Sequence, residues 1–242
     1  MERKLIKQHN AITEARYEMS PLEKNILYML LGELKDDDPE DKRYYKLDLK
    51  SLEKRCGSKK LTVPELVKAA EGLVFRVYTI IKDDGGIFDT TLISSVTNIP
   101  EENCIEVGVG TRVRPYLLAL KKDYTEFELD TALRLKTKYS KRMYEMLSQH
   151  KKEGKFLISV EKLKYRLALI DSKTGKDKYP GWRMFADQIL ERPQKELDEQ
   201  TDISFTYNLQ KTGRKYTHIE FTILPNSRKE ATYEGGLFET GQ

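Results

Sequence analysis

Cysteine is nearly absent from this chain. Cys56 and Cys104 are the only thiols in 242 residues, and no CxxC pair links them. That argues against a zinc cluster or a disulfide framework and suits a reducing compartment. Histidine is almost as scarce: His9, His150 and His218 are too far apart to read as a metal pair. Without such a pair the tyrosines read as core and interface residues rather than as nucleophiles. The phosphate-cradling pattern GxxxxGK[ST] is missing as well. Gly154-Lys155 and Gly175-Lys176 lack both the upstream glycine and the following hydroxyl. The acids Asp36–Asp38 fall in a proline-containing loop and read as solvated, and Asp198 and Glu199 have no partner base in the pattern. No stretch approaches the roughly 18 apolar residues of a membrane span. The opening MERKLIKQHNAIT is too polar for a signal peptide. The expectation is a soluble, cytoplasmic protein that is not an enzyme and carries no cofactor.

What the chain does have is charge, unevenly placed. The formal net charge is only +4. Residues 1–130 hold 21 Lys and Arg against 24 Asp and Glu, a net −3, whereas 131–242 hold 22 against 15, a net +7. Within 131–183 the count is 15 against 5, or +10. A field concentrated in that way points to a polyanion, because each neutralised phosphate releases condensed counterion.

The same stretch has a readable plan. TALRLKTKYSKRMYEMLSQHKKEGK (131–155) reads as one basic helix with Ala132, Leu135, Tyr139, Met143, Met146 and Leu147 on its apolar face. Arg134, Lys138, Lys141 and Arg142 then fall on the remaining face. FLI (156–158) is a short strand, SVEKLKYRLAL (159–169) a second helix, and IDSKTGKDKYPG a polar turn. Residues 182–200 form a third helical run, and 202–224 a hairpin. Pro193 inside the third run predicts a kink or break near Arg192. Helix, strand, helix, turn, helix, hairpin is the order of a winged helix.

The first half repeats that plan. Residues 1–18 read as an arm with some strand or turn content. Ser20, Pro21 and Glu23 make a capping box that opens a helix. YYKLDL (44–49) is a strand, SLEKRCG (51–57) a short helix, and TVPELVKAAEGL (62–73) a third helix capped by Thr62. VFRVYTIIK and GIFDTTLISSVT flank Asp83-Asp84-Gly85-Gly86, a hairpin signal, and NCIEVGVG is a further strand. Residues 111–130, with a helix around Tyr116–Leu120 and a strand around Tyr124–Leu129, are too apolar for a free linker. The expected organisation is α+β: two tandem winged-helix domains, 19–110 and 131–225, joined by a packed segment, with a disordered tail at 226–242.

A winged helix offers DNA three places: the turn before its third helix, that helix's outer face, and the hairpin tip. In the second domain these carry Lys173, Lys176 and Lys178, then Arg183 and Gln188, then Lys211, Arg214 and Lys215. Trp182, Phe185 and Ile189 face inward. Arg183 is suited to guanine and Gln188 to adenine. Lys138, Lys141 and Arg142 are further candidates on the basic helix. The first domain's equivalents are Arg55, Lys59, Lys60 and Thr62, beside a tip at Asp83–Gly86 whose acidity disfavours phosphate. Its strands VYTII and TLISSV could offer an edge for pairing.

Over about residues 8–224 the chain resembles the iteron-binding, theta-type plasmid replication initiators, the RepE/RepA/Pi group. QHNAI (8–12) is similar to the family's opening. RPYLLALKKDYTEFEL (114–129) is similar to its inter-domain segment, and LKTKYSKRMYEMLSQHKK (135–152) to the helix that opens its second domain. Trp182 to Asp198 and FTYNLQKTGRKYTHIEFTI (205–223) resemble its recognition helix and wing. The resemblance implies binding to directly repeated double-stranded DNA at an origin. It also implies origin opening with host replication proteins and helicase, no enzymatic activity, and a homodimer paired through the first domain. A winged-helix operator-binding regulator is the alternative, and a nicking-type replication enzyme a more distant one.

Overall fold

A computed structural model describes residues 4–56, 62–82, 84–118 and 120–226. The tail beyond 226 and the turn holding Lys59 and Lys60 therefore lie outside the described residues. The N-terminal arm is ordered. Its strand β1 (Leu5–His9) pairs antiparallel with β7 (Tyr124–Glu128) from the segment between the domains, and α1 (Asn10–Glu14) follows.

The first winged helix is built from α2 (Pro21–Glu33), β2 (Tyr44–Asp48), α3 (Leu49–Cys56) and α4 (Val63–Leu73), with β5 (Ile93–Ile99) and β6 (Cys104–Val109) as its wing. The capping box forms as read. Ser20 Oγ accepts from the Glu23 N–H at 3.2 Å, and the Glu23 carboxylate accepts from the Ser20 N–H at 2.7 Å. Glu23 is also gripped by Arg76 at 2.7 Å. A Cβ on Gly72 would lie 2.7 Å from Glu23 Oε1, so glycine lets α4 approach that carboxylate without displacing it. Helix α2 is buried on every side from Glu23 to Gly32, not on the single stripe its period suggested.

The second winged helix follows α5 (Leu129–Arg134). It comprises α6 (Lys138–Gln149), β8 (Lys155–Ser159), α7 (Val160–Arg166), α8 (Trp182–Phe185), α9 (Arg192–Gln200), β9 (Ile203–Thr212) and β10 (Lys215–Pro225). Its sheet has the order β8-β10-β9, and the first domain's has β2-β6-β5. In both, the strand between the first two helices sits at one edge and the last strand of the wing lies in the middle. The tandem plan therefore extends to strand order.

Several expectations need correction. The first domain's wing is β5–β6, which turns at Pro100–Glu102 and closes through Asn103 at φ 50°. The segment around Asp84–Gly86 instead joins β3 (Val77–Ile81) to β4 (Ile87–Thr91), a separate two-stranded sheet; Asp83 itself lies outside the described residues. The apolar run 86–97 divides at buried Leu92 and changes sheet there. The corrected wing tip is acidic too, with Glu101 and Glu102 exposed. The helix expected around Tyr116–Leu120 is a 3-10 helix at Thr111–Tyr116.

The basic helix expected over 131–155 is two helices. Leu135 is extended, and Thr137 caps α6 by accepting from the Ser140 N–H at 3.0 Å. The apolar spacing continues across the break, so periodicity alone does not show it. Pro193 breaks nothing. A π-helical stretch (Ala186–Glu191) joins α8 to α9, and the Arg192 N–H reaches back five residues to Asp187 O. The widened turn accommodates the donor that proline lacks, so the run from 182 to 200 stays continuous.

The apolar core is one cluster from Ile6 to Ile223 and crosses both domains. Helix α6 lies at its centre, touching α1, α2 and β7 on one side and α9 on the other. Its residues from Tyr139 to Leu147 are all buried.

Candidate nucleic-acid interface

Three of the predicted places assemble on the second domain. The turn is shaped by Asp171, whose Oδ1 accepts from the N–H groups of Lys173 (3.0 Å) and Thr174 (2.7 Å) and from the Thr174 hydroxyl (2.9 Å). These bonds hold the Asp171 carboxyl below its usual range and coil the backbone so that Lys173 and Lys176 are exposed. Gly175, at φ 67°, supplies the left-handed residue this coil needs. Lys178 is exposed and stands 4.0 Å from Glu18 at the end of the N-terminal arm, which also takes an ion pair from Lys138.

Helix α8 begins at Trp182. Phe185 and Ile189 are fully buried and Trp182 partly so, as its spacing requires, while Arg183 and Met184 are exposed. Gln188 is half-buried, and its amide donates to Asp187 Oδ2 at 2.7 Å. Asp187 is held in turn by Arg192 at 3.2 Å. Arg183 is thus presented outward, whereas Gln188 is tethered along the helix.

The wing turns at Gly213 (φ 60°), with Lys211, Arg214 and Lys215 exposed around it. Tyr216, absent from the sequence-based set, fixes the wing to the helix. Its ring stacks on Trp182 at 4.0 Å between centroids and 29° between planes, and Lys211 Nζ sits 4.5 Å from the same ring. A break in strict alternation near Thr217 was the only signal for it.

Two predicted contacts are overturned. Lys141 is completely buried, and its ammonium donates to Asn25 Oδ1 at 2.5 Å and to Ala132 O at 2.6 Å. Arg142 is buried as well; its guanidinium donates to the carbonyls of Thr13 (2.9 Å) and Ala15 (3.1 Å) and pairs with Glu145 at 2.8 Å. Both lie on the α6 face that α1 and α2 cover, so neither can reach a phosphate. Lys24 completes this cluster, 2.7 Å from Glu145, and the Tyr17 hydroxyl donates to Glu145 at 3.0 Å. Burial pulls the Lys24 ammonium down to about 8 against the upward pull of Glu145. These cations tie α6 to α1 and α2 rather than face a ligand.

In the first domain, Arg55 is ion-paired with Asp130 at 3.2 Å. Thr62 donates its hydroxyl to Glu65 at 2.8 Å within a capping box. Lys59 and Lys60 lie outside the described residues. Among the described residues the cationic face is therefore assembled on the second domain, around α8 and the β9–β10 wing.

Two tandem winged helices, one carrying a clustered cationic face at its third helix and wing, define a DNA-binding protein of the helix-turn-helix class. The chain belongs to the Rep3 family of initiator replication proteins: the family's "Initiator Replication protein, WH1" model matches residues 5–148 and its "Initiator Rep protein, WH2" model residues 159–223. It is 25% identical to the PI protein of Escherichia coli over 250 aligned positions, covering 90% of this chain and 82% of that one. Among solved structures it is similar to the Pi initiator protein in complex with iteron DNA, with TM-score 0.76, 21% identity, and coverage of 93% of this chain and 98% of that chain. A structure of domains 2 and 3 of RctB overlaps more loosely, with TM-score 0.45 and 11% identity over 85% of this chain and 81% of that one. Among the described residues no helix is long and apolar enough to cross a membrane.

Proposed function

We propose that this chain initiates plasmid replication in the cytoplasm by binding directly repeated double-stranded sites at the origin. The second domain is the main reader. The observation that carries the proposal is the set of seven exposed cations on the turn, α8 and the wing, in a family member similar to a protein solved with iteron DNA. Lys173, Lys176, Lys178, Lys211, Arg214 and Lys215 set the register on phosphates, and Arg183 reads a base edge in the major groove.

The first domain makes the weaker DNA contact, because its wing tip is acidic. It also pairs two copies. The β3–β4 sheet exposes Val77, Ile81 and Ile87 on one face, with Ile81 and Ile87 opposite each other in register. Several protomers on adjacent repeats, joined by host replication proteins and helicase, then share the several kcal/mol that bending and opening the duplex costs.

Footprinting on DNA flanking the gene should show protection repeating at a fixed interval. On a supercoiled plasmid bearing that DNA, the protein with host factors should make an adjacent AT-rich segment reactive to permanganate. Protection without reactivity would instead indicate an operator-binding regulator. Arg183→Ala is expected to cost ~1–3 kcal/mol on the cognate repeat and to relax preference at one base position. Lys176→Ala should weaken all sequences alike and lower the salt slope by ~1. Competition binding at several salt concentrations separates the two.

A further inference from the structure

The wing strands are out of simple alternation at one place, and that place faces the reading helix. On β10, Ile219, Phe221 and Ile223 point into the core, and on β9 so do Ile203 and Phe205, with Tyr207 and Leu209 packed against it. Carried outward unbroken, the β10 alternation would put Thr217 and Lys215 on the core side and Tyr216 on the opposite face. The register shifts instead: His218 pairs with Gln210 and Tyr216 with Lys211, leaving Thr217 as the extra residue of a bulge. A one-residue insertion exchanges the two faces of everything beyond it. Tyr216 therefore turns toward α8 and lands on the Trp182 ring at 4.0 Å, with Lys211 Nζ of the paired strand over the Tyr216 ring at 4.5 Å. Trp182 also leans on buried Phe185 at 5.3 Å, which ties the ladder to the core.

We propose that Tyr216 is a positioning residue for DNA recognition: turned onto Trp182 by the bulge at Thr217 and touched by Lys211, it locks the wing to the first turn of the reading helix. This rests on the DNA-reading role proposed above. The helix and the wing make separate phosphate contacts, and both engage one duplex only if their spacing is held before DNA arrives. Pre-organisation of that kind raises affinity for a site that fits both elements at once. It contributes less to non-specific binding, where any arrangement of cations suffices.

The chain's single tryptophan makes the lock visible, because Trp182 is the residue Tyr216 covers. In Tyr216→Leu the emission of Trp182 should change in the free protein, while Tyr216→Phe should keep the wild-type spectrum. Circular dichroism and thermal melting establish that both variants are folded. On the cognate repeat Tyr216→Leu should bind about tenfold more weakly and Tyr216→Phe within twofold of wild type, with both binding random duplex within twofold of wild type. Equal loss on cognate and random DNA, or no loss on the cognate repeat, would overturn the proposal, as would an unchanged Trp182 spectrum in folded Tyr216→Leu. Failure of the wild type to prefer any repeat over random DNA would count against the DNA-reading role itself, and the spectra would still report whether the ladder exists.

Discussion

Glu145→Ala is expected to destabilise the protein by about 3–5 kcal/mol, the usual cost of removing one partner from a buried ion pair. Glu145 is completely buried and is the carboxylate between Lys24 and Arg142, at 2.7 and 2.8 Å. Its loss leaves two buried cations facing each other and takes away the acceptor of the Tyr17 hydroxyl. The cost falls on the junction of α6 with the N-terminal elements, because Tyr17 precedes α2, Lys24 lies in α2, and Arg142 and Glu145 come from α6. Arg16, whose guanidinium donates to Ile170 O at 3.0 Å, and Gln149, whose amide donates to Glu14 at 2.7 Å, tie the N-terminal segment to the second domain alongside it. Urea denaturation followed by circular dichroism measures the loss. An unchanged midpoint would show that the junction carries no stability.

The pH dependence has a definite sign. Burial pushes the Glu145 carboxyl up, but Lys24 and Arg142 outweigh it and hold it below the usual range. Its contribution is therefore complete above the unfolded carboxylate's titration and is lost as pH falls through the lower folded value. The gap in stability between wild type and Glu145→Gln should narrow on acidification.

The second large effect is on DNA. Removing Lys211, Arg214 and Lys215 together should reduce the slope of log K against log salt by about 2.7, at about 0.9 for each phosphate that is no longer neutralised. All three are exposed around the wing turn; Arg214 and Lys215 lie beyond the Tyr216–Trp182 stack and Lys211 meets it only through its ammonium, so their removal leaves the buried core intact. Titration of a labelled repeat between low and moderate salt gives the slope, and thermal melting should be unchanged. A slope equal to that of the wild type would mean that the wing does not meet the backbone.

Much of the architecture could be read from the chain because its signals are local. A capping box needs only Ser20 and Glu23, and both bonds form. The inward set Phe185 and Ile189 needs only helical spacing. What could not be read depends on neighbours distant in sequence. Lys141 and Arg142 look like a solvated face because α6 has an obvious apolar stripe opposite them. The structure covers that second face with α1 and α2, more than a hundred residues earlier in the chain. The first domain's wing is not legible for a similar reason. Asp84–Gly86 does mark a hairpin, but turn chemistry says nothing about which sheet the hairpin joins.

The order of the main elements, their caps, and the concentration of cations on one half of the chain are all written locally in the residues. Each of these follows from residues within a few positions of one another or from simple counting. Which cations are available to a polyanion depends on the folded arrangement. It buried Lys141 against Asn25 and the Ala132 carbonyl and Arg142 against Glu145, and it left the turn, Arg183 and the wing tip in water. It also decided which way Tyr216 faces, because the side of a strand depends on its register with the next strand, and a single extra residue reverses it.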